Sequence, residues 1–298
     1  MTRLDYDIPH NPYVVRLTKP LLSRARVLAG ISKDGLVSRS AAKSHSWRAA
    51  WVAASLIAIY ATSAWADYPS EILATPNLVG YWRFEPDTQA NSSVNGYNGT
   101  FLDNAVIGPA NSGPPFAGVA SNSALVLDGN GDGVSTDLSS QVTFPTAATI
   151  IAWVYLNQQP ADAGHFFEIA SRSQNNDDLD FQINQDNLLY FYTDAGTASY
   201  SPGSLPLHQW VMVAGTFDTV AGTRRVYIDG RPVGSSVPGP HTASSAPLTI
   251  GYSGVWPGRW FDGAIDEVAI FDRSLSDAEI KALQDASGDL IFRSNFTY

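Results

Sequence analysis

From Leu78 onward the sequence is cut into short β-branched and aromatic runs by clusters of Gly, Pro, Asn and Asp, and this rhythm restricts the fold more than any other feature. Candidate strands are Leu78 to Phe84, Ala124 to Leu127, Ala148 to Leu156, Phe166 to Ala170 and Leu179 to Ile183. The series continues with Leu188 to Tyr192, Trp210 to Phe217, Arg225 to Ile228, Leu248 to Gly251 and Ala264 to Phe271. No strand and helix alternation of the βαβ kind interrupts them, so the expected class is all-β, with two antiparallel sheets packed face to face. Only 15% of residues are charged, while 24 Gly, 18 Pro and 11% aromatics stand in the 298-residue chain. That balance excludes a coiled coil and disorder. With no Cys, the chain has no disulfide, thiolate metal site or Cys nucleophile, so its core, and any bound metal ion, must hold it together.

Two local signals are sharp. Asp229-Gly230 separates Val226-Tyr227-Ile228 from Arg231-Pro232-Val233 and supplies the positive φ of a tight hairpin turn. Ser276-Asp277-Ala278-Glu279 is a capping box, with Leu275 and Ile280 as its hydrophobic staple. It predicts a short helix to about Ala286 that covers a sheet end.

The two ends of the chain differ in charge. Residues 1–48 hold nine Lys/Arg and three Asp/Glu, whereas residues 67–298 hold nine and 25. Between them, residues 49–66 are uncharged and apolar, follow Lys43 and Arg48, and end in Ala64-Trp65-Ala66, the pattern of a secretory signal cleaved after Ala66. An uncleaved anchor is the competing reading of that segment. The basic extension of residues 1–48 reads as unstructured, and a start near Leu36 or Val37 would remove most of it. The product expected after cleavage is secreted or extracellular, with the periplasm and cell surface as further destinations and no stable membrane insertion.

Several ordered blocks resemble a known family. The run Phe261-Asp262-Gly263-Ala264-Ile265-Asp266-Glu267-Val268-Ala269-Ile270-Phe271, continuing through Asp272-Arg273-Ser274-Leu275-Ser276 to Ile280, resembles the closing signature of laminin-G-like jelly-roll domains. These belong to the concanavalin A-like lectin and glucanase class. Trp210 to Asp218 and Arg225 to Gly230 resemble its middle strands, Gly80 to Phe84 its first, and Ala124 to Gly129 its next block. The resemblance implies a concanavalin A-like two-sheet jelly-roll sandwich over residues 78–283, with one short C-terminal helix and a tail from residue 284 to 298. It also implies binding of sugars or proteins outside the cell and a structural Ca²⁺. Since first and last strands of such domains lie together, Glu85, Asn91 and Asp266 are its candidate ligands. An ion pair of Arg83 with Glu267 or Asp266 is the competing use of that corner.

Catalysis finds little support in the residues. Glycoside hydrolases of this class place two glutamates two to four residues apart on one strand. Here Glu71, Glu85, Glu168, Glu267 and Glu279 are all far apart. Asp178 and Asp180 form an i, i+2 pair that reads as a solvated strand edge, and His165 with Glu168 point to opposite faces if the segment is a strand. Asp128-Gly129-Asn130-Gly131-Asp132-Gly133 matches half of an EF-hand loop but has Ser139 where the closing Glu should stand, so it reads as a Gly-rich turn.

Binding is better supported. Sugars pack C–H faces on exposed rings while amide, carboxylate and guanidinium groups meet their hydroxyls. Tyr252, Trp256, Arg259 and Trp260 cluster in a Gly/Pro-rich loop, with Tyr190 and Asn176 expected on the same surface. The competing reading plugs the sandwich end with those tryptophans. The expected function is a secreted, non-catalytic, lectin-like module for an extracellular glycan, with a surface protein as the alternative partner and a divergent glycoside hydrolase as the alternative activity. The acidic body disfavours nucleic acid and anionic membranes.

Overall fold

The computed structural model describes residues 67–138, 142–173, 177–193, 199–239 and 241–288. The extension of residues 1–48, the apolar segment 49–66, Asn176 and residues 289–298 of the tail lie outside them. No helix among the described residues is long and apolar enough to cross a membrane.

All ten expected strands form, and among the described residues five more join them, one of them the second arm of the Asp229-Gly230 hairpin. In chain order the strands are β1 (Leu78–Trp82), β2 (Gly99–Leu102), β3 (Val106–Ile107), β4 (Leu125–Asp128), β5 (Gly133–Thr136), β6 (Ala147–Leu156), β7 (Phe167–Ser173) and β8 (Asp177–Ile183). They continue with β9 (Leu188–Tyr192), β10 (Ser199–Ser204), β11 (Val211–Asp218), β12 (Thr223–Ile228), β13 (Arg231–Ser236), β14 (Thr249–Ile250) and β15 (Asp262–Phe271). Helices are α1 (Tyr68–Ala74), α2 (Pro160–Ala163) and α3 (Asp277–Ala286). One sheet runs β13-β12-β11-β6-β15-β4-β3 with β1 also on β15, and the other runs β10-β9-β8-β7-β14-β5-β2. Every ladder between named strands is antiparallel. The fold is a two-sheet jelly-roll sandwich.

Alternation along the strands builds the core. On β8, Leu179, Phe181 and Ile183 are fully buried between the sheets with Leu189 and Phe191 of β9 and Ile265, Val268 and Ile270 of β15. Asp229 and Gly230 take φ of 51° and 74°, the left-handed pair that the β12–β13 hairpin requires.

A second apolar layer lies on the outer face of the eight-stranded sheet. There Ile151, Trp153, Met212 and Tyr227 meet Tyr68 and Ile72 of α1 and Ile280 and Leu283 of α3. The Ser276 capping box forms as the sequence predicts, and Leu275 and Ile280 are both buried. The helix therefore covers a sheet face, not a sheet end. Its apolar side follows the outward apolar residues of β6, β11 and β12, which a polar sheet end could not match.

Candidate functional site

The loop from Gly251 to Phe261 joins β14 to β15 and is itself a small hairpin. Tyr252 and Trp260 form an antiparallel bridge, Ser253 N donates to Arg259 O at 3.1 Å, and Phe261 N to Gly251 O at 2.9 Å. At the tip, Ser253 Oγ accepts from Trp256 N at 3.0 Å, which holds the indole out with 43% of its surface exposed.

This loop folds back over the outer face of the seven-stranded sheet. Arg259 Nη1 donates to Asp180 Oδ2 at 3.1 Å and to Gln182 Oε1 at 3.2 Å, both on the outward side of β8. Its guanidinium carbon stands 4.8 Å from the Phe166 ring centre and 5.2 Å from that of Trp256, so the cation lies against two aromatic faces. Gln182 pairs with Tyr190 and Asp180 with Tyr192 across the β8–β9 ladder, which sets these tyrosines beside the arginine's partners. Tyr190 and Tyr192 rings are parallel within 10° at 6.0 Å, and Tyr200 of β10 meets Tyr190 edge-on at 5.0 Å. Trp256, Arg259 and Tyr190 thus share one surface.

The other two loop aromatics are half-buried against their neighbours, Tyr252 on the same outer face as Asp180. Tyr252 lies over β5, where burial raises its phenol pKa and a Ser135 hydrogen bond offsets part of that rise. Trp260 meets the His165 ring edge-on at 6.1 Å. His165 turns its Nδ1 to Ala163 O at 3.2 Å, ahead of β7, and so belongs to packing.

Asp180 requires a correction. It is not on a solvated edge: β9 and β10 extend the sheet beyond β8, and the carboxylate is 1% exposed under Arg259. Phe166, Asp180 and Gln182 all contact Arg259 of the candidate site, and sequence reasoning missed them. The Asp128 loop is a turn, as expected, since Asp132 spends its oxygens on the amides of Asn104 at 2.7 Å and Asp128 at 2.8 Å.

A second polar cluster lies beside α1. The pairing of β15 with β6 shifts between Asp266 and Ala269, and Glu267 takes φ of 53°, a bulge that keeps Asp266 and Glu267 off the inter-sheet core. Arg83 Nε reaches Glu267 Oε1 at 3.4 Å, the ion pair anticipated as a rival to metal. Asp266 remains outside that pair. Its Oδ2 accepts from Asn122 Nδ2 at 2.8 Å. Burial pushes the Asp266 carboxyl well above its ordinary pKa, and the nearby Glu85 charge pushes in the same direction. Burial likewise raises Glu267.

The corner holds buried oxygens of the hard kind that a Ca²⁺ ion takes. Asp266 Oδ1, Asn122 Oδ1 and Ser123 Oγ are buried oxygens without a protein partner. Glu85 accepts weakly from Ser123 N at 3.3 Å. A Cβ on Gly113 would stand 2.7 Å from Asp266 Oδ2, so only glycine leaves that space clear. No three His, Asp or Glu side chains gather into a metal site among the described residues, so Asn122 and Ser123 would have to complete the oxygen set with Glu85 and Asp266. Asn91 is exposed and accepts from Gly99 N at 3.4 Å.

An open concavity of about 400 Å³ lies by the other end of β15, lined in part by Asn77, Asn95, Tyr97, Thr143 and Asp272. It shares no residue with either cluster.

A family model described as the concanavalin A-like lectin/glucanases superfamily, Laminin_G_3, matches residues 128–281, just over half of the chain. Among solved structures, domain 4 of AbnA, a GH43 extracellular arabinanase from Geobacillus stearothermophilus in complex with arabinotriose, is similar at 20% identity. That match has a TM-score of 0.52 and covers 70% of this chain and 98% of that one. The binding domain of Paraclostridial Mosquitocidal Protein 1 is similar at 15% identity and TM-score 0.54, covering 70% of this chain and 52% of that one. Trypanosoma rangeli sialidase in complex with sialic acid is similar at 19% identity and TM-score 0.52, covering 72% and 34%. No curated protein matches the chain. The strand order, the closing DEV-type strand with its capped helix and the family match agree: the chain belongs to the laminin-G-like branch of the concanavalin A-like lectin and glucanase superfamily.

Proposed function

We propose that the folded body is a secreted, non-catalytic module that binds carbohydrate on the outer face of the seven-stranded sheet, beneath and beside the Gly251–Phe261 loop. The observation that carries this reading is Trp256, a large ring held out of the core on Arg259, which is itself tied to Asp180 and Gln182 beside Tyr190. Rings of this kind offer apolar faces to sugar C–H groups, and the surrounding amide and phenol groups can exchange hydrogen bonds with hydroxyls. The arabinotriose in the complex of the first structural relative is consistent with that use of the fold.

A hydrolytic role is disfavoured by the same geometry. Glu168 and Asp180 stand on neighbouring strands, but both are at most 1% exposed and Asp180 is ion-paired, so neither is presented as an acid or nucleophile. We further propose export through residues 49–66 with cleavage after Ala66, and a structural Ca²⁺ held by Asp266, Asn122, Glu85 and Ser123. The metal would supply charge compensation beside α1 and no chemistry.

A glycan array tests the binding role. The wild type is expected to retain a defined set of glycans, and Trp256→Ala to lose them. Loss on Tyr97→Ala with Trp256→Ala unaffected would move the site to the concavity, and binding only to surface proteins would make the module adhesive. Sequencing the N-terminus of the exported protein checks the cleavage.

A further inference from the structure

Resting on that reading of the site, we infer that its ligand is an uncharged saccharide and that acidic sugars are excluded. An acidic glycan needs a cation whose charge is not already met, because a carboxylate or sulfate taken from water without a counter-charge costs several kcal/mol. Arg259 is the cation in the site, and its charge is already met by the buried Asp180 carboxylate at 3.1 Å, with Gln182 Oε1 sharing the same Nη1.

Among the described residues no other cation substitutes for it. Residues 67–298 hold nine Lys/Arg, of which eight are described and Arg293 is not. Arg83, Arg225, Arg273 and Lys281 face carboxylates of Glu85 and Glu267, Asp277, Glu279 and Asp285. Arg172 and Arg224 are 0% exposed, held respectively by Ala246 O and by Ser236 and Thr193 hydroxyls. Among the described residues this leaves Arg231 as the exposed cation that no carboxylate faces, on β13 at an edge of the other sheet.

The segments that join the strands of the face add nothing positive either. Residues 174–176 are Gln-Asn-Asn and residues 194–198 are Asp-Ala-Gly-Thr-Ala. Meanwhile Glu168 and Asp180 lie on the face itself, so a second negative charge would meet repulsion. Gln182 and the tyrosines are suited to neutral hydroxyls, which both donate and accept.

The test is an array carrying neutral oligosaccharides (arabino-, gluco-, galacto- and manno-series) beside sialylated, uronate and sulfated ones, read with the purified protein at pH 7. Neutral glycans should exceed acidic ones at least tenfold, and their affinity should change by less than about twofold between about 20 mM and about 500 mM NaCl, since no ion pair with the ligand is screened. Retention of acidic glycans, falling as salt rises, would overturn the inference while leaving carbohydrate binding intact. Retention of no glycan in either group would overturn both, which keeps the two failures distinguishable.

Discussion

The two outer faces of this sandwich are built from the same alternating strands and put to opposite uses. On the eight-stranded sheet, the outward residues are apolar and two helices close over them. Tyr68, Phe116 and Trp153 pack there as a three-ring cluster, with Tyr68 stacked on Phe116 at 4.7 Å and both edge-on to Trp153. On the seven-stranded sheet, the outward residues are Tyr, Gln, Asp, Glu, Ser and Thr, and a tethered loop holds Trp256 43% exposed. The difference teaches that exposure alone marks neither face: the closed one conceals polar groups of a candidate cation corner, and the open one contains fully buried carboxylates.

The largest predicted break in this comparison is Trp153→Ala. Removing a ring that is 2% exposed should cost about 3–5 kcal/mol in denaturant unfolding, through lost burial and the cavity left between α1 and the sheet. A loss below about 1 kcal/mol would mean that the helix-covered layer is not a core.

Metal removal comes next. If Ca²⁺ occupies the Asp266 corner at about a hundred times its dissociation constant, it contributes about 2.7 kcal/mol, and EGTA should lower the melting temperature correspondingly. Asp266→Asn should abolish the EGTA response, and an unchanged midpoint in the wild type would count against the metal.

A smaller effect is expected at the α3 cap. Ser276→Ala should cost about 1 kcal/mol at pH 7. The Glu279 carboxyl is held at about 2, against an ordinary 4.5, chiefly by its hydrogen bond from Arg273. Because the folded-state value is depressed, the Glu279 contribution is complete above about 4.5 and is lost as pH falls toward about 2. The stability gap between wild type and Glu279→Gln should therefore narrow over that interval, and a gap that widens on acidification would contradict the assignment.

The smallest stability effect belongs to the open face. Trp256→Ala should change unfolding free energy by no more than about 0.5 kcal/mol, as for other exposed positions.

Legibility in the sequence followed the same division. Strands with apolar alternation, such as Leu188–Tyr192, were readable to the residue, because burial of one face fixes both period and register. The polar strand Ser199–Ser204 has no such pattern and forms because its neighbour offers a ladder, whereas Arg231–Ser236 was marked by the Asp229-Gly230 turn before it and not by its own pattern. Helix α1 carries an Asp67 cap, an early proline and Glu71 in its first turn, but seven residues are too few for a helical period to stand out. In the candidate site, the ring-rich loop was evident as composition. Its anchors Asp180 and Gln182 were not, because they lie 79 and 77 residues away and only the sheet's register brings them under Arg259. The same holds for Asn122, which reaches Asp266 across 144 residues.

The most direct test pairs one substitution on each face and measures both properties. Trp256→Ala and Ile280→Ala would each be examined for denaturant stability and for the binding isotherm of one glycan retained by the wild type. The account predicts a crossed result: Trp256→Ala keeps its stability and loses at least tenfold in affinity, whereas Ile280→Ala loses about 2–5 kcal/mol and, where folded, binds as the wild type does. Unchanged affinity in Trp256→Ala, or equal loss of affinity in both folded variants, would contradict it.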